Sequence, residues 1–297
     1  MQTVLLTGAN GFVGSYLVKQ LLDKNYKVIA TGKGNCRLNI NHQNFFWDTL
    51  DFTSKSDVAT CFEKHKPHVV VHTGALSKPD ECEVNREEAY FVNVIGTKNL
   101  LETAQDIDSF FIFLSTDFIF SGERGMYNED DASGPVNYYG QTKLEGEKKV
   151  KKYKGNWSIV RTVLVYGDPM GGRENILTNV AKALHKENPL KIFNDQVRTP
   201  TYVEDLTSAI VSVIEKGATG VFHIAGEDVL TPYEMAIAVA DHLQLNSSLI
   251  SAVTEDAFEQ PARRPLKTGF NITKAKKELN YTPTSFSEGL KKTFKSR

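Results

Sequence analysis

The segment Gly8–Gly14, which reads GANGFVG, sets the architecture of this chain. It lies between the apolar run 4–7 and the segment 12–22, whose apolar residues recur at helical spacing. In such a strand–turn–helix unit, the glycines permit a tight turn, a close approach of backbone to phosphate, and close packing of helix on strand. The helix N-terminus then attracts a pyrophosphate. We therefore predict a dinucleotide-binding turn, with contacts from Gly8, Asn10, Gly11, Phe12, Val13 and Gly14.

Strand-like and helix-like segments alternate through the first half of the chain. The run 110–115 is apolar on both faces, which is typical of a parallel sheet that helices cover on both sides. This repetition predicts an α/β fold with a doubly wound parallel sheet of the Rossmann type. We predict strands at 4–7, 27–31, 68–72, 110–115 and 158–162, and helices at 12–22, 58–66, 87–104 and 139–153.

The pattern loosens in the second half, where no second nucleotide motif follows. A strand within 220–226 is expected to return to the sheet. Thr231, with Glu234 three residues later, marks the start of a capped helix. We predict a dinucleotide-binding domain over 1–167 and a smaller lobe, mainly for substrate binding, over 168–297.

Composition excludes several classes of protein. The 297 residues carry 35 basic and 36 acidic side chains, which gives a formal net charge of −1. This balance does not indicate binding to nucleic acid or to a membrane surface. No apolar run approaches the roughly 18 residues of a membrane span, and the N-terminus lacks the pattern of a signal peptide. Three cysteines without Cys-x-x-Cys spacing predict neither a disulfide framework nor a structural zinc site. We expect a cytoplasmic protein without a metal.

A second cluster combines a phenol with an ammonium group. Tyr139 and Lys143 are four residues apart, so they share one face of a helix. A free phenol has a pKa of about 10, and a neighbouring ammonium and a positive nicotinamide would lower it toward working pH. The hydroxyl of Thr116 lies at the carboxyl end of the strand 110–115, where open α/β sheets bind ligands. These residues predict redox chemistry at a carbonyl or carbinol carbon.

The end of the second strand bears on the choice of cofactor. NAD-binding sites usually carry an acidic residue there for the ribose 2′-hydroxyl. This chain has Lys33 instead, with Arg37 nearby, so we predict NADP and keep NAD as an alternative. Asp51, followed by Phe52, comes after a further strand expected between the strand 27–31 and the helix 58–66, and can bond the adenine amino group.

These motifs resemble those of the extended short-chain dehydrogenase/reductases, and more narrowly those of the dTDP-4-dehydrorhamnose reductase family. The likeness rests on the glycine turn, on Tyr139 with Lys143, and on the segments 115–122, 161–167 and 198–206. It implies that Tyr139 donates a proton, that Lys143 supports it and bonds the nicotinamide ribose, and that Thr116 bonds the carbonyl oxygen. It also implies a cofactor lining formed by Ser115, Gly74, Ala75 and Leu76.

The resemblance implies NAD(P)H-dependent reduction of a nucleotide-linked 4-keto-6-deoxy sugar. A homodimer is compatible with it. His72 and Phe118 depart from the family pattern, which usually has Asn and often has Tyr at these positions. We expect substrate contacts from Phe118, Asn175, Arg198 and Tyr202, with further candidate cations at Arg173, Arg263 and Arg264.

Two alternatives stay open. A nucleotide-sugar 4-epimerase or dehydratase of the same superfamily would use the same fold, and Asp117 could supply the extra acid of a dehydratase. The chain also resembles the regulatory β subunit of methionine adenosyltransferase, in which the nucleotide pocket would serve a partner protein rather than catalysis.

Overall fold

The computed structural model describes residues 1–170, 172–257 and 259–295. The described strands are, in chain order, β1 (Thr3–Thr7), β2 (Lys27–Gly32), β3 (Phe45–Thr49), β4 (Val69–His72), β5 (Phe110–Thr116), β6 (Trp157–Thr162), β7 (Val165–Tyr166), β8 (Leu190–Phe193), β9 (Thr201–Tyr202), β10 (Gly220–Ile224) and β11 (Ile250–Val253).

The described α-helices cover both faces of the sheet and continue into the second half of the chain. They are α1 (Phe12–Asp23), α2 (Lys55–His65), α3 (Pro79–Val84), α4 (Arg86–Tyr90), α5 (Thr97–Asp106), α6 (Tyr138–Val150), α7 (Ile176–His185), α8 (Val203–Lys216), α9 (Pro232–Leu243), α10 (Thr273–Leu279) and α11 (Phe286–Phe294). None of the described helices is long and apolar enough to cross a membrane.

Seven of the described strands form one sheet in the order β10-β6-β5-β4-β1-β2-β3, and every neighbouring pair is parallel. The prediction of a doubly wound parallel sheet is confirmed. Strand order reverses between β1 and β4, and open α/β sheets bind ligands at such a point. Strand β10 pairs with β6, so the second half of the chain contributes an edge strand.

Side chains on both faces of the sheet are buried, because helices cover both sides. Val4 and Leu6 belong to one hydrophobic cluster, whereas Leu5 packs with Phe111 and Phe113 in another. Because side chains alternate along each strand, successive residues pack into two different hydrophobic cores, one on each face of the sheet. The two-sided apolar runs of the sequence have this physical origin.

A further hydrophobic cluster joins helices of the second half. Leu177 of α7, Met235 of α9 and Leu290 of α11 pack together there and reach Tyr16 of α1. The Thr231 hydroxyl accepts a hydrogen bond from the backbone N–H of Glu234, and the Glu234 carboxylate accepts one from the backbone N–H of Thr231. The predicted capping box is therefore present. The division into domains at residue 167 stays a prediction.

The helix predicted over 87–104 is not regular. Helices α4 and α5 are separated by a π-helical turn over Phe91–Gly96, in which the backbone bonds reach one residue further than in an α-helix. Asn93 lies in this turn, and its side chain bonds groups outside the helix. Turns of this kind are frequent at functional sites.

Candidate active site

The turn after β1 has room only for glycine at two positions. Gly8 has φ +71°, and a Cβ there would lie 2.9 Å from the backbone of Gly74. A Cβ on Gly14 would lie 2.3 Å from the Gly8 carbonyl oxygen. Gly11 is the N-cap of α1 and offers no capping side chain. The first N–H groups of α1, from Phe12 onward, are therefore left for an anion.

The loop after β4 lies against this turn. The Thr73 hydroxyl donates to the Thr7 carbonyl at 2.7 Å. The Phe52 ring packs so closely that a Cβ on Gly74 would lie 2.7 Å from it, and one on Gly96 would lie 2.5 Å from it. The structure thus brings Gly8, Gly74 and Phe52 together, although they are far apart in sequence.

Asn93 fixes the remainder of that loop. Its Oδ1 accepts from the Leu76 N–H at 2.8 Å, and its Nδ2 donates to the Leu76 carbonyl at 3.0 Å and to the Thr142 hydroxyl at 2.9 Å. Thr142 in turn donates to the carbonyl of Tyr139 at 2.8 Å. Sequence reasoning missed this role. The available signal was a polar residue on the otherwise apolar face of the helical segment 87–104.

The segment after β2 is tied to the glycine turn. Asn10 accepts from the N–H of Arg37 at 2.9 Å and donates to the carbonyl of Asn35 at 3.0 Å. Lys33 forms an ion pair with Asp51 at 2.9 Å, and both side chains are exposed. Two cationic residues therefore lie beside the turn that the sequence predicts to hold a pyrophosphate.

Helix α6 carries the phenol and the amine. Its N-cap Asn137 accepts from the N–H of Gly140 at 2.9 Å. A Cβ on Gly140 would lie 2.1 Å from the Phe118 carbonyl oxygen, so this glycine lets α6 approach the end of β5. The Phe118 ring meets the Tyr139 ring edge-on, with centroids 5.9 Å apart.

Burial dominates the electrostatics of Tyr139. It raises the pKa of the phenol far above the ordinary value, and the hydrogen bond with Thr116 opposes that shift only in part. Asp117 and Cys82 raise the pKa further, whereas Arg173 lowers it. The pKa of Tyr139 is therefore raised rather than lowered as predicted, because removal from water disfavours the phenolate. The phenol is protonated at neutral pH.

Burial shifts the pKa of Lys143 in the opposite direction, because here the charged form is the protonated one. It lowers the pKa of the ammonium to about 7, while Glu147 one helical turn further on favours the charged form. The Nζ atom lies 3.9 Å from the centroid of the Phe113 ring. A modest change in nearby charge therefore suffices to alter the protonation of this amine.

Ser115 bonds within the protein rather than facing an open space. Its hydroxyl donates to Glu147 at 2.6 Å, and Arg161 donates to both oxygens of the same carboxylate. Ser115 thus helps to position α6, and its predicted contact with the cofactor stays a prediction. Sequence reasoning missed Glu147 and Arg161, because their pairing depends on the packing of α6 against β6.

Arg198, a predicted substrate contact, is held by several hydrogen bonds inside the protein. Its guanidinium is buried and donates to the Gln196 side chain and to the carbonyls of Val197, Pro265 and Leu266. Its Nε lies 3.9 Å from Asp117, whose carboxylate also accepts from Thr116 at 3.0 Å and from Thr268. Arg198 and Asp117 hold the segment after β5 in place.

Two other predicted substrate residues also have structural roles. Asn175 caps α7, because it accepts from the N–H of Leu177 and donates to the carbonyl of Gly167 at 2.7 Å. Tyr202 is buried in the cluster of the second half, with its ring 5.8 Å from that of Tyr166. Their predicted contacts with substrate stay predictions.

Among the candidate cations, Arg173 lies nearest to the phenol. It is exposed, donates to the Ser77 hydroxyl at 2.9 Å, and acts on the pKa of Tyr139. Arg264 instead forms a doubly hydrogen-bonded pair with Asp80, at 2.5 and 2.6 Å, and Arg263 is exposed. Of these three, Arg173 is the candidate for contact with a ligand.

His72 lies under the site as a packed residue. It is hydrogen-bonded to Thr7 at 2.7 Å and to Thr97 at 3.1 Å, and it is 1% exposed. Burial, assisted by Lys143, lowers the pKa of its imidazole well below the ordinary value. The ring is neutral and links β1 and β4 to α5.

Known proteins are similar to this chain in sequence and in fold. A dTDP-4-dehydrorhamnose reductase of Aggregatibacter actinomycetemcomitans is 29% identical over 304 residues, which cover 98% of each chain. Methionine adenosyltransferase 2 subunit beta of Mus musculus is 31% identical over 296 residues, covering 98% of this chain and 86% of that one. The structure of a dTDP-4-dehydrorhamnose reductase from Bacillus anthracis in complex with NADP superposes with a TM-score of 0.88 and 27% identity, covering 100% of each chain.

The family model described as the RmlD substrate binding domain matches residues 1–297. Its match extends from the glycine turn to the C-terminal helices, so it includes every residue of the candidate site. The chain belongs to the RmlD substrate-binding domain family, within the extended short-chain dehydrogenases/reductases.

Proposed function

We propose that this protein reduces a nucleotide-linked 4-keto-6-deoxy sugar with NAD(P)H, and that Tyr139 donates the proton. The observation that carries the proposal is the place of Tyr139 at the carboxyl end of β5, where its ring meets that of Phe118 at 5.9 Å and burial keeps its phenol protonated. A protonated phenol suits a group that gives up a proton as a carbonyl is reduced. The dTDP-4-dehydrorhamnose reductase relatives support the same choice of substrate.

A nicotinamide dinucleotide fits the open N-terminus of α1 and the glycines that line it. When bound, it supplies the hydride. The residues proposed to hold it are Gly8, Asn10, Gly11, Phe12, Val13, Gly14, Lys33, Asp51, Phe52, Gly74, Ala75, Leu76 and Lys143. The NADP complex of the Bacillus anthracis relative supports this assignment, and the cationic residues after β2 favour NADP over NAD.

The chain's own residues have separate tasks in this proposal. Thr116 and Tyr139 bond the carbonyl oxygen, and Tyr139 transfers its proton to that oxygen. Lys143 then stabilises the phenolate that is left, since a cation beside the group favours its charged form. Phe118 excludes water beside Tyr139, and Arg173 bonds the polar part of the substrate from the exposed side.

Anaerobic incubation with NADPH and a panel of 4-keto-6-deoxy nucleotide sugars tests the reaction. We expect the absorbance of reduced nicotinamide to fall in proportion to the sugar reduced. A 4-epimerase would interconvert sugars without net consumption of NADPH, and that result would replace the proposal. The engagement of Asp117 with Thr268 and Arg198 weighs against use of this carboxylate as a free acid in a dehydratase.

The similarity to methionine adenosyltransferase 2 subunit beta supports a second candidate function. In that case the chain would retain a dinucleotide without turnover and bind a partner enzyme. The same experiment separates the two functions. A protein that binds NADPH but reduces no sugar, and that alters the activity of an added methionine adenosyltransferase catalytic subunit, would be regulatory.

A further inference from the structure

Asp48, Cys61 and His65 form a cluster of three metal-binding side chains on the outer part of the sheet. Asp48 lies on the edge strand β3, and the other two lie on α2. One ligand atom from each residue lies within 4.8 Å of the corresponding atoms of the other two. Cys61 and His65 are four residues apart, so they occupy one face of the helix.

We propose that Asp48, Cys61 and His65 bind one Zn²⁺ ion, with water as the fourth ligand. Thiolate, imidazole and carboxylate are the three protein ligands that Zn²⁺ prefers. Zinc–ligand bonds of about 2.0 to 2.3 Å place ligand atoms roughly 3 to 4 Å apart. The present separations, all within 4.8 Å, lie close to this range.

Burial makes the cluster a partly closed site. Cys61 is 4% exposed, and the side chains of His65 and Asp48 are 10% and 22% exposed. The imidazole Nε2 already lies 2.7 Å from a carboxylate oxygen of Asp48. Two of the three ligands therefore face one another without zinc, and the exposed edge beside Asp48 admits the water.

The charges of the cluster also suit a dication. Cysteine binds Zn²⁺ as a thiolate, so the Cys61 thiol gives up its proton when the ion binds. Aspartate and thiolate together then balance the two positive charges of the ion. Lys64, which is 60% exposed, donates to Asp48 at 2.9 Å. When zinc binds Asp48, the lysine side chain would move away from the carboxylate toward solvent. This lysine competes with zinc for the carboxylate.

The cysteine spacing predicts no structural zinc site, because zinc motifs such as Cys-x-x-Cys are recognised by ligands that lie close together in the sequence. Here the ligands come from a helix and a strand, which only the fold brings together. A zinc ion would tie the edge strand to α2, just before Asp51 and Phe52, and would stabilise the folded chain by mass action.

The experiment uses the full, reduced chain after removal of metal with a chelator. Equilibrium dialysis against Zn²⁺ measures stoichiometry and affinity, and the spectrum with Co²⁺ reports a thiolate ligand by its charge-transfer absorption. We expect one ion per chain, a thiolate band, and a Tm that rises with Zn²⁺. Cys61→Ser and His65→Gln should each weaken Zn²⁺ binding by more than about tenfold, and C61S should abolish the thiolate band.

Control variants test whether Zn²⁺ binding depends specifically on the three proposed ligands. Cys36→Ser removes a cysteine outside the cluster and should leave binding unchanged. Lys64→Met removes the competing ammonium and should tighten binding. Circular dichroism of each metal-free variant establishes that it is folded. The proposal is overturned if the wild-type chain gives no thiolate band with Co²⁺, or if folded C61S and H65Q bind Zn²⁺ as tightly as the wild-type chain does.

Discussion

Arg161 and Glu147 form an ion pair with two parallel hydrogen bonds inside the protein. Nε donates to Oε1 at 2.9 Å and Nη2 donates to Oε2 at 2.8 Å, while the two side chains are 3% and 0% exposed. The carboxylate also accepts from Ser115 at 2.6 Å. The pair thus joins β5, β6 and α6, and it holds the helix that carries Tyr139 and Lys143.

Loss of one partner should destabilise the fold severely. Arg161→Met leaves the Glu147 carboxylate buried without its counter-charge, so we expect the free energy of unfolding to fall by about 3–5 kcal/mol. Urea denaturation measures it. The double variant Arg161→Met/Glu147→Met should recover part of the loss, because no isolated charge remains. Equal stability of Arg161→Met and the wild-type chain would show that the pair has no such role.

Asn93 should matter for cofactor binding through the loop that it holds. Asn93→Ala removes its bonds to the backbone of Leu76 and to Thr142, at a cost of about 1–3 kcal/mol in stability. We also expect the Kd for NADPH to rise, since Gly74–Leu76 is then less firmly placed. Calorimetric titration measures this, with Lys98→Ala on α5 as an exposed control. An unchanged Kd would separate this loop from the cofactor site.

The buried amine of Lys143 predicts a dependence of stability on pH. Its pKa is about 7 in the folded chain and about 10.4 when unfolded, so between these values the unfolded chain binds more protons. The contribution of Lys143 to stability therefore rises with pH across this interval. Below pH 7 the charged amine carries its full burial cost.

Lys143→Met tests that sign. At pH 6 the variant should be more stable than the wild-type chain by about 1–4 kcal/mol, and the difference should shrink as the pH rises toward 10. Unfolding curves at several pH values give the difference, with Lys148→Met as an exposed control on the same helix. A difference that stays constant with pH would contradict the assigned pKa.

Arg173 and Arg198 should respond differently to the same change. Arg173→Ala should raise the KM for the nucleotide sugar by roughly tenfold with little effect on stability, since its guanidinium is exposed. Arg198→Ala should chiefly lower the Tm, because buried carbonyls lose their donor. Steady-state kinetics and thermal unfolding of both variants measure this contrast. The reverse pattern would support Arg198, rather than Arg173, as the ligand-binding residue.

Much of the fold could be predicted because its signals are local. The glycine turn Gly8–Gly14 and the capping box of Thr231 with Glu234 lie within a few residues, so the sequence displays them directly. The π-helical turn could not be predicted in this way. Asn93 there bonds Leu76 and Thr142, which lie 17 and 49 residues away.

The sequence identifies which residue types form the candidate site, but it does not show which of those side chains are exposed to a ligand. Tyr139 and Lys143 share a helix face because their spacing requires it. Arg198 and Arg173 both present a cation in the sequence, and only the packing of 265–266 around Arg198 shows that its charge is used internally. The Asp48–Cys61–His65 cluster likewise depends on the placement of α2 beside β3.

The most direct test of the central claim compares Tyr139→Phe with the wild-type chain. We measure NADPH oxidation by a 4-keto-6-deoxy nucleotide sugar, and the Kd for NADPH, on both proteins under anaerobic conditions. The proposal predicts that the variant loses about 10²–10⁴-fold in turnover, as expected when a proton donor is removed, and retains its affinity for NADPH. A variant that reduces the sugar at the wild-type rate would contradict it.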